Sequence, residues 1–327
     1  MSALRRLLSG REMGIAVIIV LFCLAVGLYR PNFLTLQSLQ IVLLLVPLLM
    51  IGAMAQMLVL VARHVDLSIG SILGFSAMTA GLAYRDFPEM WWILGFPIAI
   101  LSGAALGLVN GLLVTLFRLP AIIVTLGTLS LYRGLTFIIS DARQINRSDI
   151  PRELKAMSRT SPILDIPWII LIAFAVAVAT FVIARHTTLG RQIYALGSNP
   201  VAAKLRGIDV TKVTLIVFTL SGALSGLAGI LYASRWGFVN PSNTGAGFEF
   251  QVIAAVVIGG VSINGGVGTV LGTVLGVLLL GCVSAALPLL GIAGSTQNAI
   301  YGAVILVALL IDRSVRARGG RGAESPA

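Results

Sequence analysis

Residues 184–212 read ARHTTLGRQIYALGSNPVAAKLRGIDVTK, a basic stretch set between two long apolar runs, 167–184 and 213–234. It holds Arg185, Arg191, Lys204, Arg206 and Lys212 against one acid, Asp209. A polytopic membrane protein keeps such a loop on the cytoplasmic side. Asn199-Pro200 is a helix start, with Asn at the N-cap and Pro at the first helical position. Val201 to Arg206 continues that helix, and Gly207 is a natural residue for the left-handed turn beyond its end. Lys204 and Arg206 lie where positive charge favours the helix dipole. Two turns make about 10 Å, far too short to cross a bilayer. Ala202, Ala203 and Leu205 offer a small apolar surface that could seat in a groove of another protein. The other reading is a connector helix resting on the membrane interface.

Working outward, the whole chain carries the same message. It has 327 residues, 57% of them hydrophobic and only 11% charged, with a mean hydropathy of +1.00. A soluble domain carries about a quarter charged residues, so this chain lacks a water-compatible surface. The apolar runs are continuous and lack period-2 alternation, which disfavours a β-barrel. An all-α integral membrane protein with about ten transmembrane helices is expected. The spans are 13–29, 39–62, 67–84, 91–117, 120–140, 167–184, 213–234, 250–263, 267–287 and 296–311. The eighth is too short to cross cleanly and is followed by Asn264-Gly265-Gly266, so it reads as a broken or re-entrant segment. Arg5, Arg6 and Arg11 before an apolar run resemble a signal peptide, but the run, Met13 to Tyr29, is too long for one and reads as a first span.

Charge sets the orientation. With both termini in the cytoplasm, the inner side holds fourteen basic against five acidic residues, and the outer side eight against seven. An even span count and this asymmetry agree. The net charge of +11 is then a topology signal and does not call for nucleic acid. A single polytopic membrane domain, 1–327, is expected, with a cytoplasmic loop at 185–212, a solvated extracytoplasmic loop at 141–166 and a disordered tail at 316–327. The outer loop either meets an extracytoplasmic partner or is a mere connector.

Several chemistries are missing. The chain has no G-x-x-x-x-G-K-[ST] phosphate loop, so it cannot hydrolyse ATP by that route. His64 and His186 form no metal pair, and Cys23 and Cys282 read as small core residues. No cofactor or metal is expected, and no catalytic residue. Glycines recur every fourth position at Gly103, Gly107 and Gly111, at Gly222 and Gly226, and at Gly268, Gly272 and Gly276, a spacing that lets helix backbones approach closely. Polar residues within the spans are few. Gln56, Asn110, Thr125, Thr128, Arg133, Glu249 and Gln251 are the candidates for a translocation path. Arg133 is the costliest, about 2.5–3.5 kcal/mol at mid-bilayer. It faces the bundle or a cavity, or it snorkels to the outer interface. Asp66 and Glu249 sit at span ends, which disfavours proton coupling. A path lined by hydroxyls and amides suits a neutral, hydrogen-bonding solute such as a sugar.

These residues resemble the permease subunits of bacterial ATP-binding-cassette importers for monosaccharides: ribose, arabinose, xylose, rhamnose and a related sugar-like autoinducer. The likeness runs from about Pro31 to Asp312. It is carried by Val65-Asp66-Leu67-Ser68-Ile69-Gly70-Ser71, by Leu119-Pro120-Ala121-Ile122-Ile123-Val124-Thr125-Leu126-Gly127-Thr128 with Tyr132-Arg133-Gly134, by Gly190-Arg191 through Gly207-Ile208-Asp209-Val210, and by Ala254 to Ser262 with Gly265 to Thr269. Tyr132-Arg133-Gly134, Arg30 to Thr35 and Ala246 to Glu249 look most like the rhamnose type, with the autoinducer type close behind and ribose third. Where many relatives carry Gly-Gly-Ile-Asp-Leu-Ser, this chain has Ala62-Arg63-His64-Val65-Asp66-Leu67-Ser68. The resemblance implies an inner-membrane protein that forms the pore by pairing with a second permease, identical or closely homologous. It also implies a cytoplasmic ATPase that drives alternating access and a periplasmic sugar-binding protein that delivers the solute. Asn199, Pro200, Ala202, Ala203, Lys204 and Gly207 would then couple the chain to the ATPase. A stand-alone secondary carrier or channel for a small neutral polar solute is the alternative.

Overall fold

The computed structural model describes residues 10–159, 166–292 and, beyond these, 296, 299–303 and 306. In chain order its helices are α1 Gly10–Tyr29, α2 Leu36–Val61, α3 Ile69–Asp86, α4 Gly95–Leu116, α5 Ala121–Ile139, α6 Arg152–Ala156, α7 Trp168–His186, α8 Thr188–Ser198, α9 Pro200–Leu205, α10 Val210–Trp236, α11 Phe248–Ile258 and α12 Val270–Leu289. Among the described residues, seven segments are long and apolar enough to cross a membrane: α1, α2, α4, α5, α7, α10 and α12. The protein is all-α and integral to the membrane. Each of the first nine spans read from the sequence falls on a helix. The tenth lies mostly outside the described residues, as do the tail 316–327, residues 160–165 of the outer loop and the arginines at 5 and 6.

α2 is the axle of the bundle. It is buried on every side from Val46 to Ala62, as expected of a helix that is apolar all round. It packs against α7, α10, α11 and α12, while α10 packs in turn against α3 and α4. α1 covers α12, and α5 covers α3 and α4. The four-residue glycine spacing fixes the closest of these contacts. A Cβ on Gly107 would overlap the Phe218 carbonyl, and one on Gly222 would overlap the Gly103 carbonyl. Gly272 and Gly276 likewise meet the carbonyls of Gly259 and Ala255, joining α12 to α11. Lipid offers no hydrophobic drive between helices, so this backbone-to-backbone approach is what holds the pairs together.

Two crossings are interrupted. α11 is 11 residues long, about 16 Å, half of a bilayer core of about 30 Å. The other half of that crossing is the irregular segment 237–247. It leaves the end of α10 at Gly237 (φ 71°) and reaches α11 through left-handed glycines at 245 and 247. The short eighth span is thus a broken crossing, not a loop that returns to its own side. The second interruption is Ala62–Ser68. Val61 lies at the basic-loop face, yet Asp66 accepts a hydrogen bond from Ser221, eleven residues into α10. The chain therefore climbs back into the bundle before α3 begins. The two interruptions meet: a Cβ on Gly245 would overlap the Gly70 carbonyl.

The outer loop is more structured than a solvated tether. Ile145 pairs with Val239 through two backbone hydrogen bonds. Leu154 of α6 is fully buried. Ser234 donates to the Leu154 carbonyl at 2.6 Å and lies 2.8 Å from the Ser158 hydroxyl. Isoleucine, leucine and serine at these positions tie residues 145–158 onto the end of α10.

Candidate functional site

The basic loop folds into two helices. Thr187 caps α8 by accepting from the Gly190 amide at 3.1 Å, and Ile193 and Leu196 bury one face of it. Asn199 caps α9 as its sequence requires, accepting from the Val201 and Ala202 amides at 3.0 Å each. Pro200 opens the helix, and Gly207 follows it at φ 78°. Lys204 and Ala202 face solvent. Ala203 does not: it is 3% exposed and turns into the chain. The apolar surface of α9 is therefore not the alanine pair with Leu205. It is Val201 and Leu205, 70% and 84% exposed and one turn apart on the same face.

α8 is locked to the core. A Cβ on Gly197 would overlap the Val61 carbonyl at the end of α2. The Gly266 amide donates to that same carbonyl at 2.9 Å. The Tyr194 hydroxyl donates to the Gly268 carbonyl at 2.7 Å, just before α12. Thr269 caps α12 and donates to Glu12 of α1 at 2.6 Å. α8 thus meets the end of α2 and the segment between α11 and α12, whose Thr269 is tied in turn to α1.

Beyond α8 lies a buried polar seam. Asp66, wholly buried, accepts from the Ser68 amide (2.9 Å), the Ser68 hydroxyl (2.6 Å) and the Ser221 hydroxyl (3.1 Å). Asn110 donates to the Ser68 hydroxyl at 2.8 Å and accepts from Tyr132 at 2.9 Å. Thr125 donates to the Val65 carbonyl at 3.2 Å, and Thr128 bonds within its own helix. Asn110 and Thr125 therefore fasten α4 and α5 to the interrupted segment, and Thr128 is buried beside them. His64 lies between the spans, 3.2 Å from the Thr214 hydroxyl. Burial pushes its pKa down to about 4, which leaves the ring neutral near pH 7.

Arg133 is half-buried and turns inward. Its guanidinium donates to the Thr244 carbonyl of the broken crossing, with the Pro241 carbonyl 3.5 Å away, so it does not snorkel to the interface. Glu249 belongs at the start of α11, and a Cβ on Gly70 would overlap its carboxylate. The sequence places Asp66 and Glu249 at span ends. The structure buries both inside the bundle, because the helices they precede or begin start inside it. Gln56 is fully buried on α2. Among the described residues neither of its amide atoms nor Glu249 Oε2 has a hydrogen-bond partner. Gln251, half-buried, borders a cavity between α2, α10 and α12.

α8 is missing from the sequence reading, although its cap Thr187 and the Leu189, Ile193, Leu196 periodicity signal it. Ser68, Ser221 and Tyr132 of the seam are equally absent from the candidates. Only their spacing in space, not in sequence, brings them to Asp66.

The pattern of the family described as the branched-chain amino acid transport system permease component matches residues 38–309. The autoinducer 2 import system permease protein LsrC of Yersinia enterocolitica is 36% identical over 303 residues, covering 91% of this chain and 81% of that protein. The protein of the same name from Enterobacter sp. strain 638 is 35% identical over 96% of this chain and 90% of its own length. That from Photorhabdus luminescens is 34% identical over 96% and 93%. No solved structure matches the chain.

Proposed function

The chain belongs to this family of transport-system permease components, and on that premise we propose that it forms half of the pore of an ATP-driven importer for a sugar-like solute. It is a translocation subunit, not an enzyme; a separate ATPase supplies the work. The partners are a cytoplasmic ATP-binding-cassette ATPase, a periplasmic binding protein, the lipid bilayer and a second permease, either another copy or a close homologue. The solute is autoinducer 2, for which the compared relatives are named, or a rhamnose-like or pentose monosaccharide. The single domain carries its coupling segment at 185–212.

The observation that supports the coupling role is the form of α9: a capped helix, following a segment braced on the end of α2 through Gly197, with two exposed apolar side chains on one face. Val201 and Leu205 are the knobs, Asn199, Pro200 and Gly207 set the helix, and Lys204 flanks it. Arg133 and Glu249 act where the two interrupted crossings meet. Gln56 and Gln251 face the path, and Asn110, Thr125 and Thr128 hold its wall.

Proteoliposomes with binding protein, permeases and ATPase test this. Removing two knobs worth about 1.5–3 kcal/mol each when buried should cost tenfold or more in ATP-driven uptake. Val201→Asp/Leu205→Asp is expected to lose uptake of autoinducer 2 or of the monosaccharide while membrane insertion stays unchanged. Full uptake by that variant, or uptake by the permease without any ATPase, overturns the reading in favour of a stand-alone carrier.

A further inference from the structure

We propose that the cavity beside the broken crossing is a binding site for one polyhydroxylated ring, a resting place on the outer half of the route; this rests on the importer reading. The cavity measures about 340 Å³, within the range of small-molecule sites. Two aromatic rings, Tyr232 and Trp236, stand on its α10 side, and Asn243, Gln251 and the Ser284–Tyr301 hydroxyl pair (2.7 Å apart) line it from four other segments. Rings offer the apolar face of a sugar a flat contact, while amides and hydroxyls both donate and accept as sugar hydroxyls require. Arg235 is held at the rim by donating to the Leu44 carbonyl, in the turn of α2 that Pro47 loosens.

A second observation points the same way. Residues 243–248 form one wall with irregular backbone and a left-handed glycine at 245. Non-helical backbone at membrane depth is tolerated where protein buries it or where it lines a wet cavity. Here Asn243, Gly245 and Ala246 of that segment line this cavity. An acyl chain would offer the Asn243 and Gln251 amides no hydrogen-bond partner, which argues against lipid as the occupant.

The test uses the full permease in nanodiscs with its ATPase, carrying Trp91→Phe, Trp92→Phe and Trp168→Phe so that Trp236 alone reports. Autoinducer 2, D-ribose and L-rhamnose are titrated separately, with L-leucine as the control. At least one of the three sugar-like probes should give a saturable change in Trp236 emission that leucine does not. Asn243→Ala/Gln251→Ala should move the midpoint about tenfold upward, the size expected for lost hydrogen bonds to a bound ring. Tyr301→Phe, which deletes one oxygen only, should move it in the same direction with the fold kept. No saturable change, an equal change in the variants, or a response only to brominated acyl chains overturns the site. Normal ATP-driven uptake alongside any of these sinks the site and spares the importer reading. Saturable binding with uptake that ignores ATP sinks the importer reading and leaves the site standing.

Discussion

At the scale of single residues, neighbouring positions on α9 carry opposite consequences. Ala203 is buried against the chain and Leu205 is bare. Ala203→Asp should lower the thermal stability of the purified permease, because it buries a charge without a partner. Leu205→Asp should leave the melting temperature within a degree or two and abolish coupling. A melting curve for each separates the two roles. Asp66 is the strictest position in the membrane interior. Asp66→Ala would leave the Ser68 and Ser221 donors unpaired, at about 1–3 kcal/mol for each buried group. It should reduce detergent stability more than Asp66→Asn, which still accepts a hydrogen bond. His64 gives a pH signature. Its folded pKa lies below the ordinary imidazole value, so stability is complete above about pH 6.5 and declines as pH falls toward 4. His64→Gln should flatten that decline in a melting series. The cap Asn199, the Pro200 start and the Gly207 stop were legible in the sequence, because capping chemistry is local. The inward turn of Ala203 was not, because it depends on where Ile193 and Leu196 set α8 against the bundle. The burial of Asp66 and Glu249 was hidden for the same reason: where a helix starts in depth is a tertiary fact.

At the scale of elements, the contrast lies between glycines that touch backbone and glycines that touch nothing. Gly107 and Gly222 sit at the α4–α10 contact, whereas Gly127 on α5 has nothing within 4 Å. Gly107→Val or Gly222→Val should force α4 from α10 and eliminate folded protein in a size-exclusion assay. Gly127→Ala should be neutral or stabilise by up to about 1 kcal/mol, since alanine loses less entropy in a helix. The fourfold spacing was readable in the sequence for both contacts, yet it did not say which glycine stripe meets which. The eighth span shows the limit of hydropathy. Its shortness betrayed a break, but the segment before it is rich in glycine, asparagine and proline, and only the α10 end and the Ile145–Val239 pairing place that segment against the bundle.

At the scale of the whole molecule, the arrangement is a bundle with one stiff handle. α9 rests on α8, α8 rests on the end of α2, and α2 packs against α7, α10, α11 and α12. Under the coupling role proposed above, a displacement of α9 would pass through α8 and α2 toward α10 and α11, which border the cavity. The membrane class and the positions of the first nine apolar helices follow from composition and hydropathy alone, because lipid constrains sequence more severely than water does. The most direct test of the handle places p-benzoyl-phenylalanine at position 205 in the assembled importer. Irradiation should join the chain to the ATPase and stop ATP-driven uptake; uptake that continues, with no ATPase in the adduct, would contradict the account.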